Sequence, residues 1–529
     1  MSDLIQSEIN YYHNDQWSVI DELGLAGASE RLARMTLQVS PPFSISVNGK
    51  WGSGKTSIMR RSFITLGGHP ASQALLLGED KQDTNHQEDD MKLSIIKENG
   101  SVNSARKLEL KKNADWQERD FKAANQSLFV WYSPWQHQNS ENPLIPLLLE
   151  VRNQFKTHHK LLEKSKSTTR RGALAALTLF ERAIDAALIL TQTSKRPLAT
   201  GTTEAVRKVW QDEDSSSKYS DGQRFHLQFE DAVETALASL DPKMKNQDSI
   251  DHKARLIVFI DDLDRCEEAT VVKLLEAIKL YLGTSRCVFV LGLDNNAILH
   301  ALGNHWSSRS EDYNREYLEK LFQATIRIPN PQPSKVKELI AKQFKAHGIP
   351  EETLFAGVVC DLIEPNPRKL KNFTNSICAT WGLHNIPNRE NHDNSVNCNP
   401  ETLQLILLQY LVLYHPAVWR ILERQPWALK VLISILTANE SEPLDLPEGL
   451  SELDQHVMKH FITRSFSHVL KQEGDNDEKH RGLGLDSAVD LFLERIDRKR
   501  SDELFIYHLK NAFTRNDEVP AHLLTIGEI

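Results

Sequence analysis

The chain has 529 residues, 40% of them hydrophobic and 26% charged, with a formal net charge of −9. Such a length admits about two to four domains and a large buried core. The acidic balance excludes a surface coated throughout with cations for nucleic acid, leaving only local basic patches around Lys107, Lys111 and Lys112 or Arg495 to Arg500. Alternating acids beside those groups favour solvated helix faces. Cys266, Cys287, Cys360, Cys378 and Cys398 form no paired or zinc-type spacing, and no export signal opens the chain. Reduced thiols in a cytoplasmic protein are the expectation.

In chain order, GLAGASERLARMTLQV carries apolar residues at helical spacing until Pro41 and Pro42 stop it. FSISVN then predicts a short buried strand running into a glycine loop. The polar stretch from Gly67 to about Asn125, with GEDKQDTNHQEDD inside it, reads as a partly disordered insertion. SLFVWY predicts a second strand, and an apolar helix pattern begins near Pro143.

A second insertion is expected over about 155–250. Its most apolar part, Gly172 to Leu190, carries Glu181, Arg182 and Asp185 at its centre. Each such charge costs roughly 2.5 to 3.5 kcal/mol inside a bilayer, so the segment predicts a buried or interfacial amphipathic helix and no transmembrane span. RLIVFIDDLDR is the strongest strand signal, followed by the helix VVKLLEAIKLYL and the strand CVFVLGLD.

Beyond Pro331 the segments KVKELIAKQFKAHG, PRKLKNFTNSICATWG, ETLQLILLQYLVLY, AVWRILERQPWALKVLISILT and DSAVDLFLERIDRKR all have helical spacing. The fold expected is α/β: a P-loop NTPase parallel sheet with helices on both faces, interrupted by long insertions and followed by an all-helical C-terminal region. The expected domains are 1–330 for nucleotide, a lid-like helical region over 331–395, and a C-terminal helical domain over 396–529 of unassigned role.

GKWGSGKTS satisfies G-x-x-x-x-G-K-[ST] through Gly49, Gly54, Lys55 and Thr56, with Gly52 as an additional glycine. In a strand–loop–helix context, backbone N–H groups at Gly49, Gly52, Ser53, Gly54 and Ser57 wrap phosphates. Lys55 supplies charge to the terminal phosphates and Thr56 a hydroxyl for Mg2+. Such a Mg2+ also needs an acidic group at a strand end. RLIVFIDDLDR places Asp261 for that role and Asp262 to orient or deprotonate the attacking water. Asp262 is shorter than the glutamate often used there, so slow turnover is expected. Asp294 ends the next strand, and Arg368 lies in the helical region, where a lid arginine would stabilise developing charge. Trp131 and Trp135 in FVWYSPWQ are expected to pack beneath the nucleotide loop.

Together GKWGSGKTS, WYSPWQ, FIDDLDRC, VFVLGLD, EYLEKLFQ and NPRKLKNF resemble the KAP family of P-loop NTPases within the STAND class, in the family's order. The resemblance implies that Asp261 and Asp262 form a Walker B site, that Asp294 is sensor-1-like and that Arg368 is sensor-2-like. It also implies partner proteins, and several bacterial members are similar to proteins that exclude phage. ATP is favoured over GTP because no [NT]KxD segment occurs, and an ABC-type ATPase is disfavoured because no LSGGQ-like segment occurs. The expected function is therefore an ATP-driven switch or assembly with Mg2+, with a homo-oligomer as one way to complete the site. The alternatives are a nucleotide-holding scaffold and a small-molecule or nucleic-acid kinase.

Overall fold

The computed structural model describes residues 17, 21–66, 123–124, 127–138, 140, 142–162, 167–190, 221–240, 254–280, 283–306, 310–385, 400–437, 449–465, 502–513, 517–520 and 523–524. The expected insertion after Gly67 and the helix DSAVDLFLERIDRKR lie almost wholly outside these residues. Two compact units are present: one spans Leu25–Pro329 with Trp17, the other Asn330–Ile529 with Asp21–Gly24.

The first unit opens with α1 (Ala26–Gln38), β1 (Phe43–Asn48), α2 (Lys55–Leu66) and β2 (Leu128–Tyr132). Three long helices follow: α3 (Leu144–Leu162), α4 (Ser167–Leu190) and α5 (Asp221–Leu240). After them come β3 (Leu256–Ile260), α6 (Glu268–Leu280), β4 (Cys287–Leu293), α7 (Asn295–His305), α8 (Glu311–Leu321) and β5 (Ala324–Arg327). Among the described residues the strands form one sheet in the order β2-β3-β4-β1-β5, with every pair parallel.

β2, β3 and β4 are buried along their whole length, as strands covered on both faces must be. Alternation divides their side chains. Val130, Val258 and Phe289 face one large core with α3 to α8, while Trp131 and Phe259 pack on the opposite side against Phe63 of α2. β5, with the weak pattern ATIR and half-exposed residues, was not foreseen from sequence. It is an edge strand too short and too polar to announce itself, held where Gln323 N–H and Ile328 N–H donate to the Ser44 and Asn48 carbonyls at 3.1 and 3.0 Å.

The charged apolar segment lies within α4. Ala176, Phe180, Ala183 and Ala187 are buried, and Glu181 accepts from Arg152 of α3 at 2.9 Å. No helix among the described residues is long and apolar enough to cross a membrane.

The second unit is helical in every described element except a bridge residue at Leu450. It contains α9 (Pro333–Ala346), α10 (Glu352–Leu362), α11 (Pro367–Asn385), α12 (Pro400–Tyr414), α13 (Pro416–Arg424), α14 (Ala428–Thr437), α15 (Glu452–Ser465) and a helix over 502–512. α9 ends at Gly348, whose φ of 70° suits glycine, while Ile349 N–H returns to the Phe344 carbonyl at 3.0 Å. AVWRILERQPWALKVLISILT, read as one helical run, is two helices broken at Pro426.

Candidate functional site

α2 follows β1 onto one face of the sheet, whereas α7 and α8 follow β4 onto the other. The chain thus parts in opposite directions between neighbouring strands β1 and β4, and ligands of open parallel sheets bind at the carboxyl ends beside such a divergence. Asn48, Ser133, Asp261, Asp262 and Asp294 all lie at strand carboxyl ends there. The order with β4 between β1 and β3 could not be read from sequence. It stations Asp294 between the glycine loop and the paired aspartates.

The loop over 49–54 turns on Gly52 and Gly54, with φ of 81° and 95°, values that favour glycine over any residue carrying a Cβ. Gly49 is required for another reason, since a Cβ there would lie 2.6 Å from Ser53 Oγ. That hydroxyl is itself buried without a hydrogen-bond partner. Lys55 begins α2, so the first N–H groups of the helix face the loop with no intrahelical acceptor.

The Lys55 ammonium donates to the Gly49 carbonyl at 2.7 Å and the Lys50 carbonyl at 3.4 Å, and pairs with Asp264 Oδ2 at 3.1 Å. The Thr56 hydroxyl donates to Asp261, whose carboxyl is fully buried. Burial, then the neighbouring Asp262 charge, pushes the Asp261 carboxyl up to about 6, against the opposing pull of Thr56 and Arg60. Gly292 of β4 makes room for it: a Cβ there would meet Met59 Sδ at 2.5 Å and Asp261 Oδ1 at 2.9 Å.

A buried carboxylate beside a hydroxyl is a hard-oxygen pair, and this fits a Mg2+ that would take its remaining ligands from phosphate and water. Among the described residues no group of three or more His, Cys, Asp or Glu side chains is placed to hold a metal ion.

Asp262 sits in the left-handed region at φ 58°, an uncommon conformation for a residue with a side chain. Its Oδ1 is bound by Arg265 Nε at 2.8 Å, and Ser133 Oγ reaches Oδ2 at 3.5 Å. Asp294 caps α7, accepting from Asn296 N–H at 3.0 Å. Arg368 belongs to the other unit, where Asn366 Oδ1 accepts from its backbone N–H at 3.1 Å at the start of α11.

Three residues that the sequence pattern did not single out also belong here. Asp264 and Arg265, three and four positions after Asp261, engage Lys55 and Asp262 from one short turn, Leu263–Arg265. Arg60, one helical turn beyond Thr56, lies close enough to Asp261 and Asp262 to oppose their mutual repulsion. The two tryptophans part company. Trp131 is buried against Phe63 of α2 and not shown beneath the loop, whereas Trp135 is 44% exposed and joins exposed Trp51 in flanking Arg265, at 5.5 and 5.6 Å from the ring centroids.

The family model described as KAP family P-loop domain matches residues 26–381. No curated protein matches the chain. Among solved structures, one of the Aeropyrum Pernix ORC2 protein (ADPNP-ADP complexes) is similar at 11% identity and a TM-score of 0.30, covering 92% of this chain and 93% of that one.

Proposed function

Because the chain belongs to the KAP family of P-loop domains, we propose that it binds ATP with Mg2+ and hydrolyses it slowly, using the cycle to drive a conformational switch or an assembly with partner proteins. The observation that carries this reading is the meeting of Lys55, Thr56 and Asp261 where α2 begins beside the carboxyl end of β3.

The loop and Lys55 would hold the phosphates, and Thr56 and Asp261 would hold the Mg2+ shell. A Mg2+ held there would supply positive charge against the phosphates. Asp262 orients a water and takes its proton as oxygen attacks the terminal phosphorus, and the bond to the leaving ADP oxygen breaks. Asp294, capping α7 between those groups, is an acceptor for the attacking water beside the terminal phosphate.

Multiple-turnover phosphate release from ATP and GTP tests the proposal. Slow, Mg2+-dependent release from ATP, lost in both Lys55→Ala and Asp262→Asn, is expected; absence of Lys55-dependent nucleotide binding overturns it. A second reading, a scaffold that holds nucleotide without turning it over, is favoured by the ion pair that occupies Asp262. It predicts retained binding with no release. An anti-phage role rests on the family resemblance, and equal phage plating with the wild-type chain and with Lys55→Ala would remove it.

A further inference from the structure

We propose that Asp264 is an internal competitor for the phosphate-binding ammonium of Lys55, so that a nucleotide binds by displacing a carboxylate; the inference rests on the nucleotide-site reading above. A lysine ammonium has three donors. Here they face three acceptors: the Gly49 carbonyl, the Lys50 carbonyl and Asp264 Oδ2. The pair is nearly dry, the two side chains being 9% and 13% exposed, so the interaction is far less screened than a surface ion pair.

A phosphate oxygen reaching Lys55 must therefore replace one of those acceptors. The two carbonyls belong to the loop that wraps the phosphates, which leaves Asp264 as the group that gives way. An acidic side chain left facing a polyphosphate would repel it, and this makes displacement obligatory rather than optional.

The turn itself is anchored. Leu263 is fully buried, and Cys266 N–H donates back to the Leu263 carbonyl at 3.2 Å. Asp264 consequently leaves by rotating its side chain outward, away from Lys55. The affinity the site shows for nucleotide is then a difference between two anions competing for one cation, and Asp264 sets how much ligand is needed before the site fills.

The test is equilibrium binding of a fluorescent MgATP analogue to the full chain, comparing wild type, Asp264→Asn, Lys55→Met and the double variant. Asp264→Asn is expected to bind about tenfold more tightly, and this gain should shrink below about twofold when Lys55 is already methionine, because the competition requires the ammonium. Asp264→Glu retains the competing charge and is expected to stay near wild-type affinity, which separates competition from damage to the turn. Unchanged or weaker binding by Asp264→Asn, beside Lys55-dependent binding by the wild type, overturns the inference and leaves the nucleotide-site reading standing. An equal gain in both Lys55 backgrounds also overturns it, since that is general relief of charge repulsion. Absence of MgATP binding in every variant overturns the inference and the nucleotide-site reading together.

Discussion

Arg60 lies against Trp131, its guanidinium carbon 3.4 Å from the indole centroid, with Trp17 at 5.2 Å from the same carbon. Nε and Nη1 are buried without a hydrogen-bond partner, so the π face is what receives that part of the charge. Burial pushes the guanidinium down to about 9, while Asp261 and Asp262 pull the other way, and it stays charged at neutral pH. Arg60→Met is therefore expected to lower stability by about 2 kcal/mol, read from the urea midpoint of tryptophan fluorescence. Arg60→Lys should recover only part of the loss, because an ammonium lacks the planar stacking surface.

The approach of Asp261 to Gly292 yields a second prediction. An alanine Cβ would stand 2.9 Å from Asp261 Oδ1 and 2.5 Å from Met59 Sδ. The flexible thioether moves at small cost, whereas the carboxylate is hemmed in by Thr56 and by complete burial. Gly292→Ala should weaken Mg2+-dependent nucleotide binding by about tenfold, corresponding to an overpacking strain on the order of 1 to 3 kcal/mol. Equal binding constants for the variant and the wild type in a MgATP titration would remove any constraint on the Asp261 position.

What the sequence made legible was whatever rests on local pattern. FSISVN, LFVWY, LIVFI and CVFVLGL are short apolar runs bounded by turn or charged residues, and all are strands. Gly52, Gly54, Lys55 and Thr56 form one continuous motif, so their proximity follows from chain connectivity. β5 was missed because an edge strand with alternating exposure carries little hydrophobic signal. Asp264 and Arg265 went unread for a different reason. Their partners are decided by the direction of a three-residue turn, and that turn begins from Asp262 in a left-handed conformation no residue type there announces.

Asp185 on α4 offers a stability prediction whose sign can be worked out. Burial, and then the Glu181 charge one helical turn away, raise its carboxyl above the ordinary value near 3.8. The folded chain then binds this proton more tightly than the unfolded chain, so stability falls as pH rises from about 3.8 through the raised value. Asp185→Asn removes that liability. The variant should melt at a higher temperature than wild type at pH 7, and the advantage should vanish as the pH approaches 4. A constant difference across that range would mean that packing, not charge, separates the two side chains.

Arg265 holds Asp262 Oδ1 at 2.8 Å and lies between the exposed rings of Trp51 and Trp135. The guanidinium occupies one carboxylate oxygen and Ser133 Oγ reaches the other at 3.5 Å, so an attacking water must displace a partner to be held by Asp262. With Asp262 as the group that takes the water proton, the pair is a brake on the chemical step. Arg265→Ala should then raise single-turnover hydrolysis by about three- to tenfold while leaving nucleotide affinity within about twofold, since Arg265 meets the glycine loop at the Trp51 side chain, whereas the loop would hold phosphate through its backbone N–H groups. Arg265→Lys, which restores a cation without the two-ring stacking, should fall between. A rate that drops in Arg265→Ala would reverse the assignment and make the guanidinium a contributor to the transition state, acting on the charge that develops as the terminal phosphoryl group leaves ADP.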